Sequence, residues 1–128
     1  MRLAQLSLTL GFLFFAMTAA NAVERPYDQA SFDSALTEGR PVAVVFHADW
    51  CPTCRAQAPV LKQLMAEPDR KALTLFVADF DTELPLRKQL GVTRQSTIVV
   101  FNKGHEVARS TGDTQKEAIA ALLSKANT

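Results

Sequence analysis

The sequence contains two cysteines, Cys51 and Cys54, and together they form a single C-x-x-C motif. Two thiols at this spacing suit dithiol–disulfide exchange or part of a metal site, because a thiolate is both the attacking species in exchange and a soft metal ligand. A structural disulfide is disfavoured, since closing so short a loop removes few conformations from the denatured chain. The motif therefore predicts redox or metal chemistry.

Both cysteines lie where a buried strand is expected to end and a helix to begin. The apolar run at residues 42–46 is typical of a central strand covered on both faces, and residues 51–66 place apolar side chains at helical spacing, with Pro59 as an internal kink. Unpaired amides and the dipole at the helix start favour thiolate, so we expect Cys51 to be the nucleophile with a lowered pKa. Cys54, one turn further on, is expected to be more buried and to resolve the mixed disulfide.

The rest of the chain alternates predicted helices and strands and closes with a hairpin and a helix. We predict a helix at residues 31–38 capped by Ser31, a strand at 73–78, a helix at 82–90, hairpin strands at 98–101 and 106–108, and a last helix opened by a capping box at 114–117. This order predicts an α/β fold with a central mixed β-sheet flanked by helices on both faces.

The first 22 residues have the layout of a secretory signal peptide. Arg2 precedes an apolar stretch without acidic residues, and small residues close the segment at Ala20-Asn21-Ala22. An uncleaved membrane anchor is the alternative, because a spanning helix needs ~20 apolar residues. We expect a signal peptide at residues 1–22, one domain at 23–128 and an exported, periplasmic protein, which would be membrane-anchored if the signal is not cleaved.

Composition narrows the functional class further. The 128 residues include 14 Lys and Arg against 13 Asp and Glu, for a formal net charge of +1, and no basic run interleaves with aromatic residues. A nucleic-acid partner is therefore not expected.

Residues 48–55, Ala-Asp-Trp-Cys-Pro-Thr-Cys-Arg, resemble the A-x-W-C-x-x-C-[K/R] active site of the thioredoxin family. Pro59 falls at the family's helix-kinking proline, and residues 91–92 and 97–101 resemble its substrate loop and following strand. The resemblance covers residues 31–126. It implies a thioredoxin fold and a thiol–disulfide oxidoreductase whose redox-active Cys51–Cys54 disulfide needs no cofactor and no metal.

The resemblance, together with the residues adjacent to the motif, gives the expected surroundings of the site and its partners. The active-site surround is His47, Asp49, Trp50, Pro52 and Thr53, with Trp50 as a packing and docking surface, and the substrate loop is Gln95, Ser96 and Thr97. Protein disulfides or dithiols are the implied substrates. A membrane electron donor or acceptor is expected because an exported dithiol needs a redox partner, and a monomeric state is expected. The pentapeptide Trp-Cys-Pro-Thr-Cys also resembles exported reductases of cytochrome c maturation, which favours the reducing direction.

The chain departs from the family at the buried proton-transfer groups. Val45 stands where the family has a buried acid and Val77 where it has a lysine. A base for Cys54 must then be water or a nearby side chain such as Asp49 or His47. For His47, packing or a solvent-facing position beside Trp50 is the simpler expectation, because a proton-transfer role requires suitable geometry.

A second departure is Ser96, which replaces the family's cis-proline. A cis bond before a non-proline residue costs about 2.5–4 kcal/mol, so we expect a trans Gln95–Ser96 peptide and altered substrate capture. The Ser96 hydroxyl is expected to be able to bond a thiolate and lower its pKa. The lead before Ser31 is short, so the family's first edge strand is expected to be truncated or missing.

Two other classes of function stay open at this point. A metal-binding module could use Cys51 and Cys54 in an iron–sulfur cluster that bridges two chains, or both with His47 in a copper or zinc site. A redox-inert binding domain is the third possibility, and the intact cysteine pair argues against it.

Overall fold

A computed structural model describes residues 22–128 of the chain. The predicted signal peptide lies outside the described residues except for Ala22. Within the described part, no helix is both long enough and apolar enough to cross a membrane.

Strands and helices alternate along the chain. In order they are β1 (Val23–Pro26), α1 (Gln29–Thr37), β2 (Val42–His47), α2 (Pro52–Met65), β3 (Thr74–Asp79), α3 (Leu84–Leu90), β4 (Thr97–Asn102), β5 (His105–Thr111) and α4 (Lys116–Ser124), with short 3₁₀ turns at Pro68–Arg70 and Lys125–Asn127. The predicted order of the elements from α1 onward is therefore confirmed.

The five strands form one mixed sheet in the order β1-β3-β2-β4-β5. Strand β3 runs parallel to both β1 and β2, whereas β4 runs antiparallel to both β2 and β5. The central strand β2 is buried along its length up to His47, as its unbroken apolar run predicts. Its carboxyl end leads directly to the two cysteines.

The side chains of β2 alternate between two hydrophobic clusters. Ala43 and Val45 pack with the buried faces of α2 and α4, and Val42, Val44 and Phe46 pack with those of α1 and α3. The sheet thus has two helices on each face, which confirms the predicted α/β architecture. Because both faces of β2 are covered, the strand that carries the site is held rigidly from both sides.

Three predicted helix starts differ from the structure. Asp28, not Ser31, caps α1, because its carboxylate accepts from the Ser31 amide at 2.9 Å. The capping box at residues 114–117 does not form, since α4 begins after Gln115 without a side-chain cap. Helix α3 begins at Leu84 and not at Thr82.

The first edge strand is short but present. Strand β1 has four residues and pairs in parallel with the first four residues of β3. The expectation of a truncated strand is confirmed and that of a missing one is wrong. Pairing supplies the hydrogen bonds that four residues could not satisfy alone, and it brings Glu24 to the sheet face that α2 covers.

Candidate active site

Cys51 is the N-cap residue of α2. Its backbone is extended, with φ −86° and ψ 116°, and Pro52 opens the first helical turn, where a missing amide breaks no helical bond. The Cys51 sulfur accepts from the Cys54 amide at 3.2 Å. A sulfur thus takes the place of the usual capping oxygen and meets the partial positive charge of the helix start.

Both cysteines are free thiols and both are buried, with Cys51 2% and Cys54 1% exposed. The expected order of burial holds, although the difference is slight. The Cys54 sulfur also lies 4.0 Å from the Phe46 carbonyl oxygen at the end of β2. The pair is therefore held between the end of the central strand and the start of α2.

Ser96 brings a hydroxyl to both sulfurs. Its Oγ lies 2.9 Å from the Cys54 sulfur and 3.5 Å from the Cys51 sulfur. No cis peptide bond occurs among the described residues, so the predicted trans Gln95–Ser96 bond is confirmed. The Ser96 backbone adopts φ 60°, a left-handed conformation that costs a non-glycine residue ~1–3 kcal/mol and is common at functional sites.

The surroundings move the two thiol pKa values apart. Burial by itself raises the pKa of Cys51, but hydrogen bonds from the Cys54 thiol, the Ser96 hydroxyl, the Cys54 amide and the Gln95 side chain outweigh it and lower this pKa from 9.0 to about 7. Burial, together with the Cys51 sulfur, raises the pKa of Cys54. At neutral pH, Cys51 is therefore the thiol that ionises and Cys54 the one that keeps its proton.

His47 and Asp49 form a pair beside the cysteines. The His47 Nε2 atom lies 2.9 Å from the Asp49 Oδ1 atom, and the Asp49 side chain is fully exposed. His47 is half-buried and lines a cavity that Cys54 also lines. The imidazole is therefore neither simply packed nor simply solvent-facing. Asp49 does not line the cavity, and its link to it is the contact with His47.

The cavity behind Cys54 has a volume of about 160 Å³, room for several waters at ~30 Å³ each. Val45 and Val77 face each other across the β2–β3 pair and line it, so the positions of the family's acid and lysine are apolar. Glu24 and Gln57 line it too. Sequence reasoning missed both. Gln57 falls at inward helical spacing on α2, but its contacts depend on helix packing, and Glu24 comes to this face only through the register of β1 on β3.

Trp50 lies on the surface beside the motif. Its side chain is 59% exposed, and its Nε1–H donates to an Asp81 carboxylate oxygen at 2.7 Å. Asp81, in the loop after β3, was not singled out in the sequence. This hydrogen bond anchors one edge of the indole, while more than half of the side chain stays exposed to solvent.

The substrate-loop residues divide into two groups. Thr53, Arg94 and Gln95 line a small polar groove next to Ser96. Thr97 is buried at the start of β4 instead, where its hydroxyl bonds to the Arg94 carbonyl at 2.7 Å and to the Thr111 hydroxyl at 2.9 Å. Thr97 thus supports the loop from below and does not line the groove. A separate cavity of about 720 Å³ lies along α3 and the residues just after it, and neither cysteine lines it.

Metal ligation was the competing interpretation of the motif. Among residues 22–128 no three histidine, cysteine or acidic side chains come together in a group able to hold a metal ion. The three-ligand site of Cys51, Cys54 and His47 is therefore not formed in this part of the chain, where His47 pairs with Asp49 instead.

Comparison with known proteins identifies the family. The sequence profile described as Thioredoxin matches residues 24–125. A thioredoxin of Chlamydia muridarum is 35% identical over 97 residues, which are 76% of this chain and 92% of that protein. A bifunctional thioredoxin reductase/thioredoxin of Mycobacterium leprae is 34% identical over 97 residues, but the chain spans only 21% of its length.

Solved structures agree with the sequence comparison. The crystal structure of Trxlp from Edwardsiella tarda is 39% identical and superposes with a TM-score of 0.76, covering 78% of this chain and 97% of that one. The fold, the dithiol at the N-terminus of α2 and the matched profile lead to one conclusion: the chain belongs to the thioredoxin family and is a thiol–disulfide oxidoreductase.

Proposed function

We propose that the protein is an exported reductant of protein disulfides. The observation that carries the reducing direction is the pKa of Cys51, which is lowered to about 7. A strong oxidant stabilises its nucleophilic thiolate much further, to a pKa of ~3.5, whereas ~7 is typical of a reducing thioredoxin-type dithiol. A moderately stabilised thiolate leaves the reduced pair able to give up its electrons.

The reaction proceeds in two exchange steps. The Cys51 thiolate attacks one sulfur of a substrate disulfide, whose S–S bond breaks, and a mixed disulfide forms while the second substrate sulfur leaves as thiolate. Cys54 then loses its proton and attacks the Cys51 sulfur, which releases the other substrate thiol and leaves a Cys51–Cys54 disulfide. Two electrons pass from the pair to the substrate, and a membrane electron donor is required to reduce the pair again.

The proton of Cys54 leaves through the cavity behind it. The pKa of this thiol is raised by burial, so the second step needs a proton acceptor. Glu24 and His47 are the titratable side chains that line the cavity with Cys54, and its volume of about 160 Å³ admits bridging water. We assign proton acceptance to this pair, acting through water, in place of an acid at Val45.

Substrate binding uses the surface around Cys51. The exposed Trp50 supplies an apolar docking face on one side, and the polar groove at Thr53, Arg94 and Gln95 lies beside Ser96. An exposed aromatic side chain next to a buried nucleophile suits an extended polypeptide better than a small molecule. Protein disulfides are therefore the proposed substrates, bound by a monomer of the enzyme.

Export is proposed on the sequence of residues 1–22. Arg2, the apolar stretch and the small residues before Val23 have the signal-peptide layout, and an exported dithiol reaches a compartment in which disulfides persist. Expression of the full chain in a bacterium, followed by fractionation and mass determination, tests this. A periplasmic product starting at Val23 supports export, and a full-length product in the cytosol contradicts it.

The reducing function is tested by the reduction potential of the Cys51–Cys54 pair. We expect a value near ~−270 mV on equilibration with glutathione followed by thiol trapping. A value near ~−120 mV would make the pair an oxidant. In parallel, Cys51→Ser is expected to abolish the reduction of protein disulfides, whereas Cys54→Ser accumulates the mixed disulfide; activity that survives in Cys51→Ser would refute the nucleophile assignment.

A further inference from the structure

Gln57 is a polar residue on the buried face of α2, one turn beyond Cys54. Its side chain is 1% exposed, at a kind of position that apolar residues usually occupy. The Nε2 atom donates to the Asp113 carbonyl at 2.8 Å and to the Ser96 carbonyl at 3.3 Å. A primary amide has two N–H donors, so each carbonyl takes one of them. One side chain thus joins α2 to two separate loops.

Ser96 needs such support because its backbone is in an uncommon conformation. At φ 60° a serine persists only where its surroundings hold it. Its amide donates to the Phe46 carbonyl at 2.8 Å, and its carbonyl accepts from the Gly112 amide at 3.0 Å as well as from Gln57. The Phe46 and Gly112 partners are backbone groups, whereas Gln57 holds Ser96 through a buried side chain.

The position of Ser96 matters because its hydroxyl is shared between the two sulfurs. Its Oγ atom lies 2.9 Å from Cys54 and 3.5 Å from Cys51. The longer contact, to Cys51, is the one that a displacement of the loop would weaken first. Hydrogen bonds to a charged acceptor are stronger than those between neutral groups. The stability of the Cys51 thiolate therefore depends on how closely the loop holds the Ser96 hydroxyl to this sulfur.

We propose that Gln57 is a positioning residue of the active site, whose buried amide anchors the Ser96 carbonyl and so holds the Ser96 hydroxyl against both sulfurs. This inference rests on the proposed function, in which the Cys51 thiolate begins the exchange. Asp113 has a part in the arrangement, because its carbonyl fixes the orientation of the amide and leaves the second N–H directed at Ser96. Gln57 itself contacts no substrate and transfers no proton in this scheme.

The test compares Gln57→Met with Gln63→Met in the reduced protein. Methionine is unbranched and fills the space of glutamine without donating hydrogen bonds, and Gln63 lies on the exposed face of the same helix. The ultraviolet absorbance of the thiolate, followed against pH, reports the ionisation of Cys51. Gln57→Met is expected to lower the thiolate fraction at pH 6 by about tenfold, the effect of weakening one hydrogen bond to a charged group. Gln63→Met is expected to titrate as the wild type does.

Ser96→Ala and the double variant decide whether Gln57 acts through Ser96. Ser96→Ala is expected to lower the thiolate fraction in the same way, and adding Gln57→Met to it is expected to change nothing more. Full additivity in the double variant, or a wild-type titration in Gln57→Met when Ser96→Ala shifts, overturns the proposal. A merely structural glutamine would lower the melting temperature and leave the titration unmoved.

Two further measurements keep the result interpretable. If Gln57→Met fails to fold, Gln57→Leu is titrated in its place, with Gln63→Leu as the control. Reduction of a protein disulfide by the wild type is measured alongside. Its absence would contradict the proposed function, whereas the titrations alone decide the role of Gln57.

Discussion

Glu24 and Cys54 line the same cavity, although the edge strand β1 carries one and the buried turn of α2 carries the other. The glutamate lies on the helix-covered face of the sheet because β1 pairs with β3 in parallel register, Glu24 beside Leu75. A carboxylate thus lines the cavity of the resolving cysteine, although position 45, where the family has a buried acid, is a valine. This relationship makes the release of the Cys54 proton directly testable.

Glu24→Gln is expected to slow the second exchange step severalfold and to leave the first unchanged, because only the second requires a proton to leave Cys54. Rapid-quench thiol trapping measures both steps, as formation and decay of the mixed disulfide. Glu117→Gln, on the exposed part of α4, is the matched control. Equal decay rates in Glu24→Gln and the control would remove Glu24 from the proton path and leave His47 as its acceptor.

The rate of the first exchange step should follow the ionisation of Cys51. Because the pKa of this thiol is lowered to about 7, the rate is expected to rise through pH 7 and to level off above it. Stopped-flow reaction of the reduced protein with a small alkylating reagent measures this profile. A midpoint near the ordinary cysteine pKa of 9.0 would show that the helix start and Ser96 do not stabilise the thiolate.

The stability of the reduced protein is expected to depend on pH through the same two thiols. The folded pKa of Cys51 lies below its unfolded value, so its contribution is present above the unfolded pKa of 9.0 and is lost as pH falls through about 7. The folded pKa of Cys54 is raised above its unfolded value of 9.0. The unfolded chain therefore loses this proton more readily than the folded protein does, and stability falls as the pH rises above 9. Urea unfolding of the reduced wild type should thus show stability rising from pH 7 to pH 9 and then falling.

Cys51→Ser provides the comparison for this pH dependence. The variant lacks the stabilised thiolate, so the rise between pH 7 and pH 9 is expected to disappear while the fall at higher pH remains. A rise of unchanged size in Cys51→Ser would assign it to another titrating group.

Trp50→Ala is expected to reduce kcat/KM for a protein disulfide by about fivefold to thirtyfold, because truncating a large aromatic anchor typically costs ~1–2 kcal/mol of binding. The same variant should reduce a small aromatic disulfide at a rate close to that of the wild type. Steady-state assays with the two substrates measure the contrast. An equal loss with both would mean that Trp50 supports the cysteines and does not dock the polypeptide.

Freshly purified mature protein is expected to be colourless, free of bound metal and monomeric. The physical reason is that a tetrahedral site needs four ligands, whereas this chain supplies only its two sulfurs at the motif. Visible absorption, elemental analysis and size-exclusion chromatography with light scattering test the three properties together. A coloured dimer containing iron would instead support the cluster-bridged alternative.

The sequence by itself determined the elements that local patterns encode. The unbroken apolar run of β2, the helical spacing after Cys51 and the alternation of helices and strands identified the α/β fold, and the C-x-x-C at the strand-to-helix junction located the reactive pair. Helix starts were less certain. Asp28 and Ser31 are both good caps by residue type, and only the folded backbone shows that Asp28 is the one that accepts from the helix start.

Only the tertiary structure decided which distant side chains surround the two sulfurs and their neighbours. Ser96 reaches them from the loop before β4, Glu24 enters the cavity through the pairing of β1, and Gln57 joins α2 to two loops. These contacts follow from strand register and helix packing, which depend on the whole core and leave no local pattern. The sequence therefore showed which residues carry the chemistry, and the fold decided which residues tune it.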